Sequence, residues 1–261
     1  MTPPSFTPRC WLPVLAVTFY LGSFTVNAQD DPFADKIAEQ RKTAEQGDVV
    51  AQLVLGNSYY MGTSVTKDFV EAVKWFRKAA EQGNTMAQFC LGVCHDKGEG
   101  VVEDKVEAAK WYRKAAEQGY APAQFNLGGC YGKGHGVAKD DVEAARWTYK
   151  AAKQGDADAQ LKLALFYCIG QGLTKNLVEA AKWFNNSAEQ GNSTAQYYFG
   201  MCYYEAEGRA KDDVEAYKWW NLAAASGNKD AALKRELIAQ IMTSDQIAKA
   251  QRLSREWKPN K

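Results

Sequence analysis

The string VEAAKWYRKAAEQG at residues 106–119 recurs with small changes as VEAVKWFRKAAEQG from 70, VEAARWTYKAAKQG from 142, VEAAKWFNNSAEQG from 178 and VEAYKWWNLAAASG from 214. Trp75, Trp111, Trp147, Trp183 and Trp219 stand 36 residues apart, and Gly47, Gly83, Gly119, Gly155, Gly191 and Gly227 keep the same interval. No insertion breaks the register. A fixed period of this length means stacked supersecondary units, none of which can bury its apolar face alone.

Each string reads as a helix. In the second copy Ala108, Trp111, Tyr112, Ala115 and Ala116 make one apolar stripe at helical spacing. Asp104-x-x-Glu107 marks its start and recurs as Asp68/Glu71, Asp140/Glu143, Asn176/Glu179 and Asp212/Glu215. The first side chain accepts from an orphan amide of the first turn, and the Glu is expected to reach back to the cap. Gly119 and its equivalents end the helix, because glycine takes the left-handed backbone there without a Cβ penalty. Ahead of each string lies a second helical pattern, typified by APAQFNLGGCYGKGHGV from Ala121 to Val137. Ala123, Leu127 and Cys130 form one stripe and Gln124, Gly128 and Tyr131 its neighbour, Pro122 suits a first turn, and Gly-x-Gly pairs at 98/100, 134/136 and 170/172 break the chain before the next cap. Each unit is therefore a helix, a glycine-bearing loop and an antiparallel second helix.

The run A-Q-x-x-L-G-x-x-Y, then G-x-G-V, then D-x-x-E-A-x-x-W and A-A-E-x-G resembles the Sel1-like repeat, a relative of the tetratricopeptide repeat. The expected fold is all-α, a right-handed α/α solenoid of stacked hairpins. Five repeats cover 48–83, 84–119, 120–155, 156–191 and 192–227, between an N-terminal capping helix in 29–47 and C-terminal capping helices in 228–261. Departures are Ser64 for the second loop glycine of the first repeat, Ala164 for the helix glycine of the fourth and Ala206 for the first loop glycine of the fifth. The resemblance implies a scaffold that holds an unidentified protein or peptide, and the closing sequence resembles that of exported bacterial members.

If two stripes of each first helix face inward, the next face lines the concave wall. That face is Leu53, Asn57 and Tyr60; Phe89, Val93 and Asp96; Phe125, Gly129 and Gly132; Leu161, Leu165 and Cys168; Tyr197, Met201 and Tyr204. Aromatic and Met side chains there suit an apolar or extended ligand. The competing reading is that Phe89, Phe125 and Tyr197 pack the hairpins.

The N-terminus differs from all that follows. Trp11 to Val26 is mostly apolar and precedes VNA and then QDD, the layout of a secretory signal cleaved after Ala28, so 1–28 is read as a signal peptide and the protein as exported to the periplasm or beyond. As a membrane anchor the segment falls short of the roughly 20 residues a span needs. With 32 basic and 31 acidic residues, no charge field points to nucleic acid or an anionic membrane. A monomer is the expected state, and no cofactor is expected.

No nucleophile, base and orienting group recur together, and the glycine loops lack the strand and the Lys or Ser/Thr of a phosphate cradle, so no enzyme is expected. Five cysteines follow the signal segment. Cys90, Cys94, Cys130 and Cys202 are expected to be buried thiols and Cys168 the accessible one. Cys94, His95, Cys130 and His135 are the residues a metal site would use, but the cysteines share an inward stripe and His95 stands where other repeats have Tyr. Some cysteine-rich exported members of the resembled family are described as binding or cleaving β-lactams, which supplies the alternative function. They pair two cysteines within every repeat, and this chain has no such pairs.

Overall fold

The computed structural model describes residues 32–260, so the signal segment and its cleavage point after Ala28 lie outside the described residues. Among the described residues all regular structure is helical, in thirteen helices. They fall into two compact units, one ending at Gln118 and the other beginning at Gly119. The first unit holds α1 (Pro32–Glu45), α2 (Val49–Met61), α3 (Phe69–Glu81), α4 (Thr85–Lys97) and α5 (Lys105–Glu117). The second holds α6 (Ala121–Lys133), α7 (Asp141–Lys153), α8 (Ala157–Ile169), α9 (Leu177–Glu189), α10 (Ser193–Tyr204), α11 (Asp213–Ala225), α12 (Lys229–Ala239) and α13 (Ser244–Glu256). Within each unit a helix packs on the next in chain order, so hairpins such as α2–α3, α4–α5, α8–α9 and α10–α11 stack in sequence.

The caps form with one change from expectation. Asp68 accepts from the amides of Val70 and Glu71, and Asp104, Asp140 and Asp212 repeat the pattern. The Glu does not return to the cap. The cap's own N–H is already bonded to a carbonyl near the end of the preceding helix, Asp68 to Tyr59 at 2.9 Å, Asp104 to His95 at 2.9 Å and Asp140 to Tyr131 at 3.0 Å. Released from that role, Glu71, Glu107 and Glu179 pair with the Lys three residues on at 2.5, 2.5 and 2.6 Å. At α13 no repeat loop precedes the cap, and Thr243 and Gln246 do form the reciprocal box.

Close approach explains the glycines. A Cβ on Gly56, Gly92 or Gly200 would lie 2.6–2.7 Å from the ring of Phe76, Tyr112 or Trp220, twenty residues on in the partner helix of the hairpin. In the loops, a Cβ on Gly100, Gly172 or Gly208 would strike the carbonyl of Phe69, Asp141 or Leu177, the first turn of the previous repeat's second helix. Ser64 and Ala206 hold positive φ values of 64° and 57° without being glycine.

The core is the alanine and aromatic stripe read from the repeat: Ala72, Ala108, Ala144, Ala180 and Ala216 have at most 1% exposure, and Phe76, Tyr112, Phe184 and Trp220 at most 2%. At this scale, burying each such ring contributes roughly 1.5–3 kcal/mol.

Candidate functional site

Within each unit a glutamine ladder joins successive repeats. In the first unit Gln82 donates to the Gln52 side chain at 2.8 Å and to the Gly47 carbonyl at 3.2 Å, and Gln118 does the same to Gln88 and Gly83. Gln52 and Gln88 in turn donate to the carbonyls of Ala44 and Ala80. In the second unit Gln154 bonds Gln124, and Gln190 bonds Gln160 and Gly155. In the fifth repeat Ser226 stands at the position of Gln190, and the buried Gln196 Oε1 has no hydrogen-bond partner. The ladder was not anticipated from the sequence, where a buried Gln and an exposed Gln look alike.

The wall expected from the sequence is partly interior. Phe89, Val93 and Leu161 are only 5%, 1% and 2% exposed, so these three pack the repeats and are not a contact surface. Phe89 lies 5.9 Å from the Tyr112 ring, and Leu161 shares a cluster with Ala195, Phe199 and Trp219. Leu53, Asn57, Tyr60, Asp96, Phe125, Leu165, Cys168, Tyr197, Met201 and Tyr204 are half-buried. Several are already engaged: Tyr60 donates to Glu99 at 2.6 Å, Asp96 pairs with Lys105 at 3.1 Å, and Tyr204 lies 5.5 Å from the Trp220 ring.

A more exposed stripe lies about one position from the expected face, which on α8 is taken up at Leu161 by the cluster that includes Phe199 of α10. On α2 it runs Val50, Val54, Asn57, Met61, with Val50 and Met61 exposed by 64% and 43%. On α8 it is Asp158, Lys162, Leu165, Ile169, and on α12 Asp230, Lys234 and Leu237, an acid, a base and an aliphatic at i, i+4 and i+7 in both, with Ile241 just past the end of α12. Ile169, Leu237 and Ile241 are 69%, 59% and 65% exposed. Lys162 lies over the Phe166 ring at 4.9 Å, and burial and then the neighbouring Lys133 lower its pKa. Tyr197 has its hydroxyl pKa raised by burial and by Asp230.

Nucleophiles near this stripe are quiet. Cys168 is half-buried whereas Cys90, Cys94, Cys130 and Cys202 are buried. Burial pushes the Cys168 thiol up to about 11 and Cys202 to about 12, so neither is a thiolate at neutral pH. Among the described residues no group of three or more His, Cys, Asp or Glu side chains converges on a metal-sized point. His95 is buried with neither ring nitrogen hydrogen-bonded. No helix among the described residues is long and apolar enough to cross a membrane.

Comparison with known proteins follows the same register. The family model described as Sel1 repeat matches residues 49–84, 85–120, 121–156, 157–192 and 193–228. The crystal structure of a Sel1 repeat protein from Oxalobacter formigenes is similar over 89% of this chain and 99% of its own, at 32% identity and a TM-score of 0.70. The structure of c5321, a protective antigen of uropathogenic Escherichia coli strains with an SLR fold, is similar over 86% of this chain at 32% identity and a TM-score of 0.57. The chain spans 56% of that protein's length. Among curated proteins none matches.

Proposed function

The chain belongs to the Sel1 repeat family, whose members generally mediate contacts between proteins and are typically non-catalytic, and from that premise we propose an exported bacterial scaffold that grips a protein or extended peptide along the open first-helix stripe. The observation that carries this reading is Ile169. It is 69% exposed on a helix whose other large aliphatics are buried or half-buried, in line with Leu165 and Lys162. Apolar contact with a cation beside it fits a segment with aliphatic side chains and a carboxylate. The protein carries out no chemistry of its own on this reading, and export rests on the apolar segment from Trp11 to Val26 and the small residues before Gln29.

The test is capture of envelope proteins by the mature chain and by its Ile169→Asp and Met61→Asp variants. Both positions are exposed, so thermal unfolding is expected to stay within about 2 °C of the parent. Loss of a specific captured protein in either variant supports the stripe. Capture that survives both, or a parent chain that captures nothing, defeats it.

A further inference from the structure

We propose that the seam between α9 and α11 is a second binding site, made for an extended segment with a tryptophan and, two residues on, a proline, and that residues 257–260 fill it in cis as a releasable strap. α13 packs along α11, where the Ser254 hydroxyl donates to the Lys218 carbonyl at 3.3 Å and Gln251 donates to the Tyr217 hydroxyl at 3.3 Å. The helix ends at Glu256, and Trp257 is extended, with φ −68° and ψ 139°. From there the chain crosses to the C-terminal end of α9. The Trp257 indole N–H donates to the Glu189 carboxylate at 3.2 Å, its ring meets that of Trp219 edge-on at 6.1 Å, and the Asn260 amide donates to the Glu189 carbonyl at 2.7 Å. A Cβ on Gly191 would lie 3.8 Å from Pro259 and 3.9 Å from the Trp257 ring, so the segment runs over that glycine in ordinary contact.

The seat selects this chemistry. Glu189 is the last residue of α9, so its carbonyl is one of the acceptors that no intrahelical N–H serves. Its carboxylate takes a donor, and an indole supplies one together with an apolar ring. Proline keeps the residue before it extended, which carries the backbone on to the carbonyl. Trp219 is open to such a ring because of the residue three places on. Trp75, Trp111 and Trp147 have Lys78, Lys114 and Lys150 over their rings at 4.1, 4.0 and 4.0 Å. At the same spacing from Trp219 stands Leu222, which packs on one cluster with Trp257, while Lys218 lies over the Trp219 ring at 4.5 Å. In the first unit the residues corresponding to Glu189 and Trp219 are Glu81 and Trp111, and there Lys114 covers the indole.

Trp257 is only half-buried, and Lys258, Pro259 and Asn260 are exposed, so little packing is lost when the segment lifts. Tethered beside its seat, the strap competes at an effective concentration on the order of millimolar, and a segment of the same chemistry in another protein binds by displacing it. The site lies on the second helices and does not rest on the reading of the open first-helix stripe.

The test opens the strap in the full chain with Trp257→Ala and Asn260→Pro, which remove the indole and the amide donor. A fluorescein-labelled peptide of residues 254–260 is titrated with protein up to about 1 mM and followed by anisotropy. The opened chain is expected to bind it saturably, and the parent at least about tenfold more weakly because its own strap competes. A peptide with alanine in place of its tryptophan is expected not to bind. The same loss is expected in an opened chain that also carries Glu189→Lys, since α7 has a lysine, Lys153, at the corresponding position. Circular dichroism matching the parent's shows that each variant keeps the fold. The absence of saturable binding by the folded, opened chain overturns the proposal, as does equal binding by parent and opened chain, or binding that survives Glu189→Lys. An opened chain that loses its helical signal overturns it too, because the segment is then a fixed part of the fold and not a releasable one.

Discussion

At the residue scale, the glutamine seam shows how a repeat fixes its stacking with polar atoms inside an alanine-rich core. A buried amide whose partner is missing costs more than a formed bond contributes, about 1–3 kcal/mol against about 1. Gln196 Oε1 is in that position because Ser226 replaces the donor supplied elsewhere by Gln82, Gln118, Gln154 and Gln190. Ser226→Gln is therefore expected to raise stability by about 0.5–1.5 kcal/mol, read as a higher urea midpoint with an unchanged slope. An unchanged or lower midpoint would mean that the seam does not continue into the fifth repeat. His95 offers a second residue-level test. Burial lowers its pKa first, with Arg77 also lowering it and the weaker pulls of Glu107 and Asp104 opposing. A histidine whose folded pKa lies below the unfolded value of about 6.5 binds its proton more readily when unfolded, so stability is full above that pH and declines as pH falls below it. His95→Tyr restores the residue that Tyr59 and Tyr131 supply in neighbouring repeats. Its unfolding midpoint is expected to fall less than the parent's on acidification, and parallel pH profiles would show that His95 does not titrate in the folded state as described.

At the element scale, helix positions, caps and the interior stripe were legible because they depend on spacing and on residues with one dominant use: Asp ahead of a first turn, Gly after a last one, Trp on an apolar stripe. Two features were not. The Glu of Asp-x-x-Glu was expected to return to the cap, but the loop brings a carbonyl such as that of Tyr59 to the same N–H, a contact set by the hairpin and invisible in a local motif. The open stripe was read about one position away, on Phe89, Val93 and Leu161, because an apolar residue on a third helical face looks the same whether a partner or the next repeat covers it. The loop glycines also divide in a way that spacing cannot show. Gly155 has φ +93° with open space where a Cβ would go, whereas Gly172 has φ +72° and the Asp141 carbonyl in that space. Gly155→Ala is expected to cost about 1–2 kcal/mol of backbone strain. Gly172→Ala adds a backbone collision and is expected to cost clearly more in the same denaturation experiment. Equal costs would show that the close approach of loop and preceding helix yields freely.

At the scale of the whole molecule, the chain spends its sequence on repetition and leaves its individuality to the positions that repetition does not fix. Among those are Val50 and Met61 in the first unit and Ile169 in the second, exposed apolar side chains on first helices. Composition and charge carried no information about them, since 46% hydrophobic and a net charge of +1 describe many globular proteins. The family supplies the fold and the general role of holding other proteins, and the proposal that the open first-helix stripe holds the partner is the part that remains to be measured. The most direct measurement places a photoreactive residue at Ile169 and, as a control, at Arg146 on the exposed side of α7, then crosslinks in the intact cell envelope. The account predicts a discrete adduct with one protein from position 169, lost when Leu165 is changed to Ala, and none from position 146. Adducts of equal yield from both positions, or no adduct from 169 in a chain shown to reach the envelope, would contradict it.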